Sequence, residues 1–251
     1  MRYVETSRRL GAEAIVLVGT EPLRRAADAP IAVEDVQRAT GVPLDILTHE
    51  EEGHLTLIGV TSGRRVAAEL MVVDIGGGSS ELVVVGAGTG VRATGLKLGS
   101  ARLTASIVRH DPPTAAEIEH LAREARRILA GAPDASPRDV IAVGGTASNV
   151  IRVLPAATLD RTLTRRRIAD ALRILASEPW ALAAERHAVH PVRARILPAG
   201  AAILDAILER YGVERVRISD AGIREGAVLA AIRAGDRWRE RLPELAPGWV
   251  G

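Results

Sequence analysis

The sequence predicts an α/β fold, and three observations carry that expectation. Short apolar runs closed by glycine or proline alternate along the chain with amphipathic segments of helical period. In the second half this alternation is regular, as it must be where strands and helices pack into layers. With 251 residues and 47% hydrophobic side chains, the chain can bury a sizeable core, as one large or two modest domains.

The elements follow in order. Residues 2–10 read as the end of a helix, and Ala14 to Val18, closed by Gly19, as a buried parallel strand. An amphipathic helix is expected over roughly 31–40, stopped by Gly41 and Pro43, and a short strand over Leu44 to Leu47. Glu50, Glu51 and Glu52 then open a helix carrying Leu55 and Ile58. The pattern changes near residue 67. Ala67 to Asp74 is a strand, a glycine turn follows, Glu81 to Val85 returns as a second strand, and Gly90 to Leu98 gives a third. Helices are expected near 100–108 and 115–130, the latter opened by the N-cap signal Pro112-Pro113-Thr114. Residues 138–143 form a strand that runs into Gly144-Gly145-Thr146 and a helix. The stretch 162–190 is polar, Arg-rich and helical, and 198–211 is a helix with Ile203, Leu204, Ile207, Leu208 and Tyr211 on one face. Val213 to Ser219 is strand-like, and Gly222 onward is a helix to about 233. These elements divide the chain into a domain over 1–67, a second over 68–235, and a loosely held tail over 236–251.

Composition excludes several classes of function. The formal net charge is only +2, so electrostatics give no support for general nucleic-acid binding. The scarcity of aromatics, with no Phe, argues against stacking platforms for single strands. There is no cysteine, which removes disulfides, thiolate metal sites and a Cys nucleophile. No apolar h-region follows basic residues at the N-terminus and no apolar run reaches membrane-spanning length, so a cytoplasmic protein without a membrane partner is expected. Lys97 is the only lysine among 33 basic residues. Arginine suits bidentate phosphate contacts, but with Ala and Gly so abundant coding bias is the simpler account.

The sharpest chemical feature is Asp74-Ile75-Gly76-Gly77-Gly78-Ser79-Ser80-Glu81 between two apolar strands. Three glycines let backbone approach an anion, consecutive amides can form an anion-binding nest, and Ser79 and Ser80 add hydroxyl donors. A tight turn would bring Asp74 and Glu81 to one side, where carboxylate oxygens hold Mg²⁺ beside a phosphate. A glycine-rich hairpin with its acids in solvent is the alternative. Val143-Gly144-Gly145-Thr146 puts backbone donors and a positive helix end at a loop, a usual place for anions, and is equally a plain strand–turn–helix connection. The acidic trio at 50–52 has helix capping as its plain reading. In Ser219 to Gly226, Ser219 or Asp220 can cap the next helix and Arg224 can pair with Glu225. Of the six histidines only His187 and His190 have metal-like spacing, in a polar segment where surface histidines are the simpler account.

Together these segments resemble the exopolyphosphatase/guanosine pentaphosphate phosphatase (Ppx/GppA) family, within the actin-like ATPase and sugar kinase fold group. The matching stretches, in the family's order, are Val18 to Ala26, Glu50-Glu51-Glu52 with Leu55 and Gly59-Val60, and DIGGGSSEL over 74–82. They continue with Leu96 to Leu103, Val143 to Thr146, Leu197-Pro198-Ala199-Gly200 and Ser219 to Gly226. The resemblance implies two ribonuclease-H-like lobes with a cleft between them. It assigns Arg24 to phosphate binding, Glu52 to the base that activates water, Asp74 and Glu81 to Mg²⁺, and Gly76, Gly77, Gly78, Ser79 and Ser80 to a phosphate loop. Gly144, Gly145 and Thr146 correspond to the nucleotide-side loop. The implied activity is Mg²⁺-dependent hydrolysis of terminal phosphoanhydride bonds in inorganic polyphosphate or guanosine pentaphosphate. A non-catalytic phosphate or nucleotide sensor and an ATP-dependent kinase of the same fold group are the alternatives. Family members begin with a strand and a phosphate loop of the DIGSNS type, whereas this chain starts in the helix beyond them. Residues 1–67 are therefore expected to be the remnant of an incomplete first lobe. An apolar sheet edge left open in such a lobe invites pairing with another chain, as in a homodimer.

Overall fold

The computed structural model describes residues 2–86 and 90–249. In chain order the elements are α1 (Arg2–Arg9), β1 (Leu17–Gly19), α2 (Glu21–Arg25), α3 (Ala29–Thr40), β2 (Leu44–Ile46) and α4 (His49–Thr61). Next come β3 (Leu70–Ile75), β4 (Ser80–Gly86), β5 (Gly90–Leu96), α5 (Ser100–Ile107), α6 (Ala115–Leu129), β6 (Asp139–Val143) and α7 (Gly144–Val150). The remainder is α8 (Pro155–Asp160), β7 (Thr162–Thr164), α9 (Arg165–Leu175), α10 (Trp180–Arg186), α11 (Pro191–Arg210), β8 (Arg215–Ile218), α12 (Ile223–Ala234) and α13 (Leu242–Leu245). Among the described residues no helix is long and apolar enough to cross a membrane.

The strands form two sheets. β1 and β2 pair in parallel as a small sheet, while the other six run in the order β5-β4-β3-β6-β8-β7. In the large sheet β3, β4 and β5 are an antiparallel meander, β6 and β8 run parallel to β3, and β7 closes the edge antiparallel to β8. Both faces are covered, so β3 and β4 are apolar on both sides rather than alternating. The pleat divides their side chains between two cores. Met71, Val73, Ile75, Leu82 and Val84 pack with α5, α6 and α11, whereas Leu70, Val72, Val83 and Val85 pack with Leu57 of α4.

α4 joins the two parts of the molecule. Leu57 lies on the large sheet, while Leu55 and Ile58 share a core with Leu47, Ala227 and Ala230. Helix α12 approaches it so closely that a Cβ on Gly226 would stand 1.8 Å from the Leu55 carbonyl oxygen, and one on Gly59 2.1 Å from that of Gly222. These glycines are present for clearance. Gly226→Ala is expected to destabilise the protein by about 1–3 kcal/mol, since backbone must move to admit the methyl. A fall in the urea midpoint with an unchanged slope would show it.

Several elements differ from expectation. β1 is only three residues long, and a short helix, α2, starts at Glu21 with a proline in its first turn. α11 begins at Pro191 and passes through Pro198, which is buried, so that proline starts no helix. The neighbouring helices supply the burial that outweighs its missing N–H. The segment 162–190, read as wholly helical, opens instead with β7. The segment from Asp236, expected to be loose, is packed through residue 249. Trp238, Leu242 and Leu245 are buried against Leu47, Leu55 and Ala230. Arg239 bonds to Glu51, Asp45 and the Ile46 carbonyl, and Trp249 N–H donates to the Gly63 carbonyl. Residues 250 and 251 of that tail lie outside the described residues.

Candidate active site

The parallel strands β3, β6 and β8 all end on one side of the large sheet, delivering Asp74, Gly144 and Ser219 to its carboxyl edge. Open α/β sheets hold their ligands at this edge. A larger hollow of about 870 Å³ lies at the other ends of β6 and β8, beside Asp139, Arg215 and Arg217, but it has neither the glycine bend nor the acids.

Asp74 and Glu81 are direct partners across the antiparallel ladder, so both side chains leave the same face. Each continues a row that faces α4: Leu70, Val72 and Asp74 on β3, and Val85, Val83 and Glu81 on β4. Alternation sends Ser80 the other way. Its hydroxyl donates to the Leu98 carbonyl and is buried, so the expected hydroxyl donor at 80 is committed to the fold.

The bend between these strands is closed by Gly76 N–H donating to the Ser79 carbonyl at 2.9 Å. Its carbonyls are tied back to the start of α5. Gly76 accepts from Ser100 N–H, Gly77 from Arg102 N–H, and Gly78 from Arg102 Nε at 2.9 Å. The amides of Gly77, Gly78 and Ser79 donate to no protein acceptor among the described residues, and Gly77 is exposed. None of the three glycines has a positive φ, so the alternating left- and right-handed nest expected from the run is not formed. Free amides instead result from turning the carbonyls inward.

α4 places Glu52 opposite this edge. Its N-terminus is a capping box in which Thr48 and Glu51 exchange bonds, and Glu51 also pairs with Arg239. Burial pushes the Glu51 carboxyl up, but Arg239 and Thr48 bring it below its ordinary value. Glu50 points to solvent, whereas Glu52 is 5% exposed. The trio therefore serves two purposes, with capping assigned to Glu51 and the cleft to Glu52. Arg24, from the last turn of α2, reaches across from the small sheet. Its Nη1 donates to Glu52 Oε1 at 2.5 Å and to the Leu47 carbonyl.

The acids crowd one another. Burial raises the Asp74 carboxyl to about 6, with Glu52 adding to the rise and Arg193 opposing it. Asp74 keeps an opening to the cleft although protein surrounds it on most sides. Glu81 is raised to about 7, again by burial first; the Ser79 hydroxyl at 2.8 Å opposes this, and Glu52 and Asp74 reinforce it. Glu52 is raised by burial despite Arg24. Among the described residues no three His, Cys, Asp or Glu side chains form a closed metal cage. Mg²⁺ does not require one, because it binds through one or two carboxylates and completes its shell with water and phosphate oxygens. Two facing hard-oxygen donors with excess negative charge fit that ion.

The loop at 144–146 joins the same edge. Gly144 has φ +79°, and a Cβ there would stand 2.3 Å from Asp74 Oδ1. Gly145 lies against the Arg193 guanidinium. The Thr146 hydroxyl donates to the Ile75 carbonyl at 2.7 Å and ties the loop to β3. In the segment 219–226, Ser219 forms a local turn with Ala221 and the Glu225 carboxylate accepts from Gly222 N–H, so Glu225 caps α12.

Sequence reasoning missed His49, Glu21, Arg102 and Arg193. His49 Nδ1 lies 3.2 Å from Glu81 Oε1 and 3.0 Å from Arg24 Nη2. Glu21, Arg24, Arg25, Lys97 and Arg102 line a cavity of about 350 Å³ in front of Gly78 and Ser79. Lys97 and Arg102 lie within a stretch already noted in the sequence; nothing local marks Arg193.

Comparison with known proteins shows the family to which the chain is similar. The model of the Ppx/GppA phosphatase family matches residues 1–233. A guanosine-5'-triphosphate,3'-diphosphate pyrophosphatase of Vibrio cholerae is 27% identical over 238 residues, covering 92% of this chain and 47% of that protein. The chain thus spans about half the length of these curated relatives. Exopolyphosphatase 1 of Mycobacterium bovis is 29% identical over 241 residues, covering 87% of this chain and 67% of that protein. The crystal structure of the Aquifex aeolicus Ppx/GppA family member superposes with a TM-score of 0.81 at 26% identity, covering 94% of this chain and 79% of that one.

Proposed function

The chain belongs to the Ppx/GppA phosphatase family and has its actin-like ATPase fold, and from that premise we propose that it hydrolyses the terminal phosphoanhydride bond of inorganic polyphosphate. One observation carries the reading: Asp74 and Glu81 face Glu52 and Arg24 beside an open glycine bend with free amides. The basic lining of Arg24, Arg25, Lys97 and Arg102 suits a repeating anion.

Phosphoanhydride hydrolysis asks for orientation and charge neutralisation rather than covalent help. The bend amides and Arg24 receive the terminal phosphate oxygens. Asp74 and Glu81 would hold Mg²⁺, which when bound supplies further neutralisation of those oxygens. Glu52 orients the water and takes its proton as the water oxygen bonds to phosphorus. The bridging P–O bond breaks and its electron pair leaves with the shortened chain. A carboxylate whose pKa is raised by burial is a better proton acceptor than a free one.

The Vibrio relative's name supports guanosine pentaphosphate as a second substrate reading. The test is orthophosphate release from polyphosphate and from guanosine pentaphosphate, with magnesium and again with EDTA. Release from polyphosphate that EDTA abolishes is the expected result. Preference for the nucleotide would select the second reading, and binding without turnover would replace both by a sensor.

A further inference from the structure

α2 opens with Glu21, and its carboxylate lies over Gly78, the third glycine of the bend. A Cβ on Gly78 would stand 2.9 and 3.0 Å from the two carboxylate oxygens. The same carboxylate accepts from Arg25 Nη1 at 2.9 Å, and the Glu21 side chain is 17% exposed. Glu21, Arg25 and Gly78 all line the 350 Å³ cavity. Its charge also reaches Glu52, adding to the rise of that carboxyl. An anion approaching the amides of Gly77, Gly78 and Ser79 therefore meets a resident carboxylate that already has its own arginine.

We propose that Glu21 is a specificity-determining residue, a resident negative charge beside the glycine bend, and that Arg25 exchanges Glu21 for a phosphate oxygen when substrate enters. The proposal rests on the phosphatase reading of the same site. A carboxylate brings one charge and two acceptor oxygens. The end of a phosphate chain brings more of both, so it displaces Glu21, while orthophosphate, one unit long, competes less well. Once the bond is broken, the return of Glu21 to Arg25 helps to expel the orthophosphate product. The resident acid thus filters ligands by charge and assists release.

The test is calorimetric titration of the full chain with orthophosphate and with methylenediphosphonate, whose bridging carbon prevents hydrolysis, in magnesium buffer. Glu21→Gln and Glu21→Ala are expected to bind orthophosphate about tenfold more tightly than wild type, the order expected on removing one screened charge beside an anion. Methylenediphosphonate should gain less, so the preference for the longer anion narrows. If Glu21 only holds α2 in place, both variants melt earlier and bind no better, and the proposal is overturned. Wild-type binding with no tightening in either variant overturns this inference alone. No binding by any of the three proteins overturns the phosphatase reading together with it.

Discussion

Glu52→Gln lowers the rate of orthophosphate release by about 10²–10⁴-fold, the range spanned by removing a positioned general base. The substitution keeps the side chain's length and one carbonyl oxygen, so Arg24 retains an acceptor where it now bonds Glu52 Oε1 at 2.5 Å. What disappears is the basic site that takes the water's proton. Affinity for methylenediphosphonate should not fall, because the amides of the bend and the Asp74–Glu81 pair are untouched and one negative charge beside the anion is removed. The melting temperature is expected to change little. A variant that still turns over within tenfold of wild type would remove Glu52 from the role of base.

Asp74→Asn changes activity and stability in opposite directions. The ionised carboxylate of Asp74 is disfavoured in the fold, with its pKa raised from 3.8 to about 6 by burial and by Glu52. Glu81 follows the same course, from 4.5 to about 7. Native pKa values above the unfolded ones mean that the native state holds these protons more tightly. Their stabilising effect is complete below the ordinary values and is lost as the pH climbs through about 6 and about 7. In metal-free protein at pH 8, Asn at position 74 should therefore stabilise by about 1–3 kcal/mol, a range discounted for the cleft opening. The gain should vanish at pH 4, where the wild-type carboxyl is largely protonated. Magnesium should raise the melting temperature of wild type more at pH 8 than at pH 5, since protons compete for both acids. The Asn variant should lose most of that response and about 10²–10³ in rate, as for other losses of electrostatic stabilisation. Thermal melts at the three pH values, with and without magnesium, check every arm. Destabilisation of the Asn variant at pH 8 would show that Asp74 is satisfied without a cation.

The readable parts of this site were those in which chemistry and geometry share a short stretch of chain. Asp74 and Glu81 flank one bend, and strand alternation alone puts them on a common face once the hairpin register is known. The same rule, applied to Ser80, would have turned its hydroxyl away from the cleft, as the structure does. The acidic trio held two functions that composition could not separate, because helix phase, not residue type, distinguishes Glu51 from Glu52. Glu21 and His49 were not legible: α2 is one turn and a half, and its direction depends on the packing of the small sheet. The tail carried a weak signal in Trp238, Leu242 and Leu245, which recur at helical spacing, but charged and turn-forming neighbours masked it. Pro198 misled because its ring usually marks a helix start, and only burial among surrounding helices shows otherwise.

The seating of α4 has a consequence for motion. Its glycine-tight contact with α12 and its bed on the large sheet make Glu52, Asp74 and Glu81 passengers of a single block. Arg24 and Glu21 ride on a different carrier, the short helix behind β1. Arg24 bridges the two through its bonds to Glu52 and the Leu47 carbonyl, so its guanidinium is set by both carriers while the spacing of the three acids is set by one. The reacting phosphate would therefore meet acids fixed by one part of the polypeptide and an arginine shared between both.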